Sequence, residues 1–223
     1  MNAYSGPLRF RSAVRGDAAG IARVCYHTGY HGEDLEGSGR FDDRRLLALL
    51  FASYYTLYEP WNAFVAVDAD DRVAGYILGT TDSRAQARRF RRRMIPRIVL
   101  RALAVSWWRY PESFRALSHF RRISATQGAM DDVFEAYPAH LHINLLAGFQ
   151  RGGAGSVLME LFEARVRAAG VAGIHLSTSM RNEKALPFYR KHGFIQERTL
   201  GPGLWPDAPD ARALLFVKSL AGR

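Results

Sequence analysis

A strand pattern in the middle of the chain runs directly into a helix pattern. From His140 to Leu146 polar and apolar residues alternate, which is the period of two expected for a half-buried strand. After the glycine-rich segment 152–155, apolar residues recur at helical spacing, namely Val157, Leu158, Leu161, Phe162 and Val166. The helix therefore begins inside the glycine-rich segment, at the end of the strand.

The same two periods predict elements along the rest of the chain. Six further segments have strand character: Leu8–Val14, Asn62–Val67, Arg72–Thr80, Ile174–Ser177, Phe194–Leu200 and Ala213–Ser219. Helices are predicted from a cap at Asp17 through Cys25, over Asp42–Tyr55 and over Asn182–His192. Residues 84–126 also have a helical pattern. Strands and helices mixed in this way indicate the α/β (α+β) class.

The segment between the central strand and its helix has the properties of a phosphate-binding turn. Its backbone N–H groups lie at a helix N-terminus, where they have no intrahelical partner and where the helix dipole favours an anion. Glycines leave room for a phosphate to approach the backbone. The spacing fits neither the dinucleotide fingerprint nor the P-loop. A tight turn that needs positive φ is the alternative explanation for the glycines.

Two motifs resemble the GNAT superfamily of N-acetyltransferases. Gln150, Gly153 and Gly155 occupy the fixed positions of its pyrophosphate-binding pattern Q/R-x-x-G-x-G/A. About thirty residues later, the pattern N-x-x-A-x-x-F-Y-x-x-x-G-F is filled by Asn182, Ala185, Phe188, Tyr189, Gly193 and Phe194. Two motifs in the expected order make the resemblance much stronger than either motif alone.

The resemblance implies acetyl-CoA as cosubstrate and no metal ion. It assigns the cofactor contacts to Leu145, Gln150, Arg151, Gly152, Gly153, Ala154, Gly155, Ser156, Asn182 and Phe188. Among these, Asn182 hydrogen-bonds the cofactor arm, and a backbone amide near Leu145 polarises the carbonyl. Tyr189 lies beside the thioester sulfur as general acid. A core tyrosine whose hydroxyl is satisfied by the protein is the alternative for Tyr189.

Four other segments resemble one subgroup more narrowly: CYHTGYHGED, NAFVAVDADDRVAGYILGTTDS, RFRRRMIP and YPAHLHI. They are similar to the acetyltransferase-like domain at the C-terminus of animal O-GlcNAcases and to its free-standing bacterial relatives. The likeness covers most of the chain and implies one GNAT domain over residues 1–223. Its core would be a mixed, mostly antiparallel sheet of about seven strands flanked by helices. A helical, arginine-rich insertion at 84–126 would lie between strands 3 and 4.

Two histidines are candidates for the base of an acetyl transfer. His140 and His142 share one strand face, and an imidazole titrates near neutral pH, at about 6.5 in model peptides. Their spacing resembles the paired strand histidines of arylalkylamine N-acetyltransferases. A structural histidine that donates to a carbonyl is the alternative for either one. His175, on the neighbouring strand, ranks third.

Two acidic residues are candidates for binding the acceptor of the acetyl group. Asp34, in a loop with Glu33 and Glu36, and Asp82, at a strand end, could bind a cationic acceptor. A solvated turn is the alternative for the loop. The function predicted from the resemblance is therefore acetyl transfer to a primary amine of a small molecule. An acetyl-CoA-binding module without turnover is the first alternative.

The positive charge is concentrated in the insertion. The chain carries a net charge of +10, and residues 84–122 contain twelve arginines against Glu112 alone. Arginines interleaved with aromatic residues could bind nucleic acid or an acidic membrane surface. A lid is the favoured interpretation, since Trp107, Trp108 and Tyr110 are hydrophobic enough to wall a pocket or an oligomer contact. A nucleic-acid-binding protein on a GNAT scaffold is the second alternative function.

Composition excludes several other classes. Cys25 is the single cysteine, which rules out an intramolecular disulfide and gives no basis for a metal cluster. The sequence contains no apolar run of about 18 residues, and its N-terminus lacks the apolar core of a signal peptide. We therefore expect a cytoplasmic protein without a transmembrane segment. The expected assembly is a monomer or a homodimer.

Overall fold

The computed structural model describes residues 7–126, 130–150 and 152–220. At its centre lies one sheet of seven strands: β1 (Arg9–Ser12), β2 (Ala63–Val67), β3 (Val73–Thr80), β4 (Ala139–Leu145), β5 (Gly173–Ser179), β6 (Ile195–Pro202) and β7 (Arg212–Ser219). The strand order is β1-β2-β3-β4-β5-β7-β6. Within the described chain, β4 and β5 run parallel and the other neighbours are antiparallel. The predicted mixed, mostly antiparallel sheet of about seven strands is confirmed.

Helices cover the sheet and fill the insertion. Those of the described residues are α1 (Ala18–Tyr26), α2 (Arg44–Phe51), α3 (Ser53–Tyr58), α4 (Ser83–Arg93), α5 (Ile95–Arg101), α6 (Trp107–Arg109), α7 (Pro111–Thr126), α8 (Asp131–Ala136), α9 (Ala154–Ala168) and α10 (Ala185–Lys191). A π-helical turn, Ala102–Ser106, joins α5 to α6. The predicted helical insertion between β3 and β4 is confirmed by α4–α7.

Apolar side chains are buried on both faces of the sheet. Along β2, Val65 and Val67 pack into the core shared with α1, α2 and α3, whereas Ala66 between them packs into the core shared with α9. On the second face α9 comes very close to the sheet. A Cβ atom on Gly79 of β3 would lie 2.4 Å from the ring of Phe162. It would also lie 2.3 Å from the carbonyl oxygen of His140, so the packing of both α9 and β4 requires this glycine.

The parallel pair β4–β5 is short, and this shapes the site. The two strands pair at only two positions, Ala139 with Ile174 and His140 with His175. Beyond them β4 stays paired with β3 as far as Leu145, and β5 stays paired with β7 along its whole length. The two strands therefore separate toward their C-terminal ends. An opening lies between their facing edges.

The first strand is shorter than predicted, and the first helix begins after Asp17 as predicted but without a side-chain cap, because the Asp17 carboxylate has other partners. The Asp17 carboxylate accepts two hydrogen bonds from the Arg11 guanidinium, at 2.6 and 2.9 Å, and one from the Val14 amide at 2.8 Å. It is therefore not available to cap α1 with its side chain. The chain leaves β1 at Ser12 and passes through a 3-10 turn before α1 begins.

Two other predicted helices have different ends in the structure. The helix expected over 42–55 is capped by Asp43, whose side chain accepts from the Leu46 amide, and it breaks at Ala52 into α2 and α3. The helix expected from Asn182 begins at 185. Pro187 then falls in the first turn, where the missing proline N–H removes no intrahelical hydrogen bond.

A buried ion pair joins the insertion to the N-terminal half of the chain. The Asp43 carboxylate, which has no exposed side-chain surface, contacts Nη2 of Arg101 at 2.7 Å and accepts from the Ser106 hydroxyl at 2.7 Å. The Asp43 amide in turn donates to Oγ of Ser113 at 2.9 Å. One residue therefore binds three parts of the insertion.

Of the helices described, none combines the length and the apolar character needed to cross a bilayer.

Replacing Asp43 by alanine should destabilise the protein strongly. The substitution leaves the guanidinium of Arg101, whose side chain is 18% exposed, without its counter-charge. Removing one partner of a buried ion pair typically costs about 3–5 kcal/mol. The exposed pair of Glu112 with Arg115 provides the control, because Glu112→Ala should cost less than about 1 kcal/mol. Urea unfolding of both variants measures the difference. Equal losses of unfolding free energy would show that Asp43 does not hold the insertion in place.

Candidate active site

A cavity of about 840 Å³ occupies the opening between β4 and β5. Four segments line it: the end of β4, the N-terminus of α9, the end of β5 with α10, and the loop between α1 and α2. The side chains that bring polar or ionisable groups to its wall are Thr28, His142, Asn144, Gln150, Ser156, Ser177, Thr178, Asn182, Lys184, Tyr189 and Lys191. Within the described residues, the lining contains two lysines and no carboxylate. The cavity therefore favours an anionic ligand.

The N-terminus of α9 forms one wall of the cavity through its backbone. Gly153, the N-cap residue, has φ of +79°, in the left-handed region that favours glycine. Space around its Cβ position is open, whereas a Cβ on Gly155 would lie 3.1 Å from the Phe188 ring. No side chain of the described residues caps α9. Its first amides are therefore available to a ligand.

The remaining predicted residues of this turn lie around the same wall. Gln150 fixes the turn, since its Nε2 donates to the carbonyl of Leu145 at 2.9 Å. Ser156 lines the cavity, and its hydroxyl is 3.0 Å from Nε2 of His192. Gly152 has an open Cβ position and is exposed. Arg151 lies outside the described residues, so its predicted cofactor contact stays a prediction.

Residues at and before α10 form the opposite wall. The side chain of Asn182 lies against the loop between α1 and α2, because a Cβ on Gly32 would be 2.8 Å from its Oδ1. Tyr189 is buried, at 6% exposure, and lines the cavity. Among the described residues its hydroxyl has no hydrogen-bond partner. Burial raises the pKa of this phenol, so Tyr189 carries its proton at neutral pH.

The backbone of β4 directs one amide into the opening. The amide of Leu146 donates to the carbonyl of Ala74, on the β3 side, at 3.0 Å. Successive amides of a strand point to opposite edges, so the Leu145 amide points toward β5. The pairing of β4 with β5 ends at His140 and His175, so this amide has no partner on β5. A donor in this position can stabilise an oxygen that gains negative charge.

A chain of hydrogen bonds runs from the cavity into the protein. Nε2 of His142 is 3.1 Å from the Tyr55 hydroxyl, which is 2.7 Å from Nε2 of His140. Nδ1 of His140 is 2.8 Å from Oγ of Ser83, and this hydroxyl donates to the carbonyl of Pro138 at 2.7 Å. Of the four side chains in this hydrogen-bond chain, only His142 lines the cavity.

The positions of the hydrogen atoms in this hydrogen-bond chain follow from Ser83, at its inner end. Ser83 has one hydroxyl proton, and it is donated to the Pro138 carbonyl, so we assign a proton to Nδ1 of His140. Nε2 of a neutral His140 then accepts from Tyr55, and the Tyr55 oxygen accepts from Nε2–H of His142. The lone pair of His142 is thereby placed on Nδ1. His142 can accept a proton there while Tyr55 holds its other nitrogen.

Burial keeps these histidines neutral. Desolvation lowers the pKa of His142 to about 4, with a smaller contribution from nearby His175. Desolvation also lowers the pKa of His140 well below its usual value, and the neighbouring histidines lower it further. His175 has the structural role considered for a strand histidine, because its Nδ1–H donates to the Tyr137 carbonyl at 2.7 Å. At neutral pH all three are uncharged.

Asp34 and Asp82 do not line the cavity. Asp34 is exposed and is held by its own loop, with both carboxylate oxygens 2.9 Å from Nδ1 of His27. Asp82 is the N-cap of α4 and accepts from the Ala85 amide at 2.9 Å. Asp34 therefore matches the solvated-turn alternative, and Asp82 acts as a helix cap. Their predicted contact with an acceptor is untested and gains no support from this placement.

The insertion does not line the described cavity either. Its helices pack against α2 and the core beneath it through buried side chains such as Met94, Ile98 and Phe120. The lid interpretation of residues 84–126 is therefore not supported, because the buried side chains of the insertion pack into the core shared with α1, α2 and α3. Tyr55 and Ser83 were missed as site residues, since they lie 85 and 57 positions from His140 in sequence.

Comparisons with known proteins bear on the family and the fold. The model of the "Acetyltransferase (GNAT) family" matches residues 117–194, which include both motifs. The crystal structure of SsHAT is similar at a TM-score of 0.74 and 28% identity, over 96% of this chain and 99% of that one. Two structures share the fold alone. YncA of Salmonella typhimurium, solved with its cofactor acetyl-CoA, has a TM-score of 0.56 and 14% identity over 98% of this chain and 96% of its own.

The second of these structures is Ard1 of Thermoplasma volcanium, with a TM-score of 0.57 and 17% identity over 96% of this chain and 99% of its own. Together, the family model and the structural neighbours support the GNAT acetyltransferase superfamily for this chain. They support the GNAT fold over nearly the whole sequence.

The neutral histidine chain predicts how stability depends on pH. The pKa of His142 is lower in the folded state than its unfolded value near 6.5, so the unfolded state binds more protons between about pH 4 and 6.5. The unfolding free energy should therefore fall as the pH is lowered from 7 to 5. His142→Gln should reduce this slope, as measured by urea unfolding at each pH. If the unfolding free energies of the native protein and the variant depend on pH in the same way, His142 does not have the lowered pKa.

Proposed function

We propose that this chain is an N-acetyltransferase that transfers the acetyl group of acetyl-CoA to an amine of a small molecule. The proposal includes one catalytic domain over residues 1–223 and a cytoplasmic location. The observation that carries it is the one cavity that brings together the open amides of α9, the Leu145 amide, Tyr189 and His142. We also propose the narrower relationship to the O-GlcNAcase-associated domain and its bacterial relatives.

The residues around the N-terminus of α9 fit the pyrophosphate of acetyl-CoA. The open backbone at Gly153 leaves space for an anion, and the amides there would donate to it. Lys184 and Lys191 add the positive charge of the lining. Asn182 and Phe188 would contact the rest of the cofactor. YncA, which shares the fold, was solved with acetyl-CoA, and this supports the assignment.

Each step of acetyl transfer has a candidate group on this chain. Acetyl-CoA would supply the acetyl group as a thioester. The Leu145 amide would donate a hydrogen bond to the acyl oxygen as its negative charge grows. The Tyr189 hydroxyl would give its proton to the departing sulfur, which its raised pKa allows because the phenol is neutral.

His142 is the proposed acceptor of the amine proton. An amine nitrogen that has attacked a carbonyl is strongly acidic, so an imidazole with a pKa of about 4 can still take this proton at Nδ1. The Tyr55 hydroxyl holds the ring by accepting from Nε2–H. His140 and Ser83 orient Tyr55 in turn. We therefore propose His142 as the base and His140 as a positioning residue.

The same chemistry favours acceptor amines that arrive uncharged. A base with this pKa cannot remove a proton from an alkylammonium ion, whose pKa is about 10.4 in lysine. No carboxylate among the described residues lines the cavity to bind such a cation. Weakly basic amines such as arylamines satisfy both conditions. This acceptor class replaces the cationic acceptor that Asp34 and Asp82 suggested.

Replacing Gly153 by alanine should weaken acetyl-CoA binding by at least about tenfold, since the methyl group enters the space proposed for the pyrophosphate. Gly170→Ala is the matched control. Gly170 follows the other end of α9 with φ of +69° and an equally open Cβ position. Both changes should cost about 1–2 kcal/mol of stability. Calorimetric titration should find native-like, micromolar affinity in the control alone, and equal affinities in both variants would contradict the site.

Replacing Tyr189 by phenylalanine should lower kcat about 100-fold or more, since it removes the proposed general acid. The ring would keep its contacts with Phe194 and Phe216, so acetyl-CoA affinity should stay unchanged. Thiol release with an arylamine acceptor measures kcat, and Tyr110→Phe, in the insertion, is the control. If the native protein binds acetyl-CoA but no arylamine or alkylamine is acetylated, a binding module without turnover would be the better description.

A further inference from the structure

The helix at residues 95–109 exposes a large apolar surface. It consists of α5, the π-helical turn and α6, which follow one another without a break. Of the eleven exposed large hydrophobic side chains in the described chain, six lie here: Ile95, Val99, Leu100, Leu103, Trp107 and Trp108. Their exposure reaches 69% at Leu100 and 58% at both tryptophans. We call these six residues the apolar stripe.

Packing fixes the direction in which the stripe faces. The opposite side of the same helix is buried through Ile98, Ala102 and Ser106. Arg101, on that side, is bound to Asp43. Four members of the stripe follow at intervals of four residues, from Ile95 to Trp107, and so share one face of the helix. The helix cannot turn this face inward without breaking the buried ion pair.

Arginines without acidic partners lie on the helix of the apolar stripe and on α4, which directly precedes it in the chain. Among the exposed arginines at residues 88–109, six form no ion pair with a carboxylate: Arg88, Arg91, Arg92, Arg93, Arg97 and Arg109. The one acidic residue within 84–122, Glu112, is already paired with Arg115 at 2.7 Å. The surface therefore combines exposed apolar area with uncompensated positive charge.

We propose that the apolar stripe and its arginines bind the surface of an anionic phospholipid bilayer. Aliphatic side chains and tryptophans on one helix face can insert at the boundary between headgroups and acyl chains. Arginines beside them are attracted to anionic lipid headgroups, each at modest energy. The helix would lie in the plane of the membrane. This interaction does not depend on the acetyl transfer proposed above.

Charge and side-chain type favour a bilayer over two other partners. A second copy of the chain would bring the same arginines together across a symmetric interface, because such an interface joins identical patches. Nucleic acid would use the arginines and could stack on the tryptophans. It has no comparable use for Ile95, Val99, Leu100 and Leu103, which can neither stack on bases nor donate hydrogen bonds. An anionic bilayer uses both parts of the surface.

Vesicle sedimentation of the full chain tests the proposal. The native protein should bind vesicles of phosphatidylcholine with about one third phosphatidylglycerol at least about tenfold more tightly than pure phosphatidylcholine vesicles. Binding should weaken as salt screens the arginines. The triple variant Leu103→Ser, Trp107→Ser, Trp108→Ser should lose at least about tenfold in affinity. Neutralising Arg91, Arg92 and Arg93 with glutamine should have a similar effect on anionic vesicles.

Ile195→Ser is the matched control, because Ile195 is 63% exposed but lies on β6. It should leave vesicle binding unchanged. The proposal is overturned if the native protein does not bind anionic vesicles at low salt, or if the triple variant binds them equally well. It is also overturned if light scattering shows a native dimer that the triple variant abolishes, or if the native protein binds duplex DNA but no vesicle.

Discussion

The β4–β5 ladder ends after two residue pairs, and the candidate site depends on that early separation. Each strand keeps a full partner on its outer edge, β3 for β4 and β7 for β5, so the two can part without breaking the sheet. The opening leaves the Leu145 amide without a neighbouring strand and gives the N-terminus of α9 a free side. Gly79 contributes from behind, since its lack of a side chain lets α9 pack closely against β3. The pairing of the strands thus creates the cavity, and the side chains described above line it.

Desolvation then sets the chemistry of the groups that reach the cavity. It keeps Tyr189 protonated and His142 unprotonated near neutral pH, which gives the cavity one proton donor and one proton acceptor in its lining. The hydrogen bonds from Ser83 through His140 and Tyr55 fix which nitrogen of His142 is free. Neutral groups held in this way suit an amine that arrives uncharged. An ion-pairing site for a cationic acceptor would require a carboxylate that the described lining does not contain.

Local patterns in the sequence predict the parts of the site that are local in the fold. The alternation from His140 to Leu146 and the glycines after it identify β4 and the turn into α9, and all seven strands are located by their periods. Contacts between distant segments leave no such pattern. Tyr55 meets two histidines 85 and 87 positions away, and Asp34 turns to His27 within its own loop. The lid interpretation of the insertion gains no support for the same reason, since composition does not reveal which core Met94 and Phe120 enter.

Hydrogen exchange of the native protein with and without acetyl-CoA tests the central claim most directly. The separation of β4 and β5 exposes two groups of amides, those near Leu145 and those at the start of α9, and one ligand should cover both. We expect acetyl-CoA to slow exchange in peptides covering 141–146 and 152–158, and to leave peptides covering 95–109 unchanged. Unchanged exchange at 152–158 under saturating acetyl-CoA would contradict the account, because the ligand would then not be held by the open end of α9.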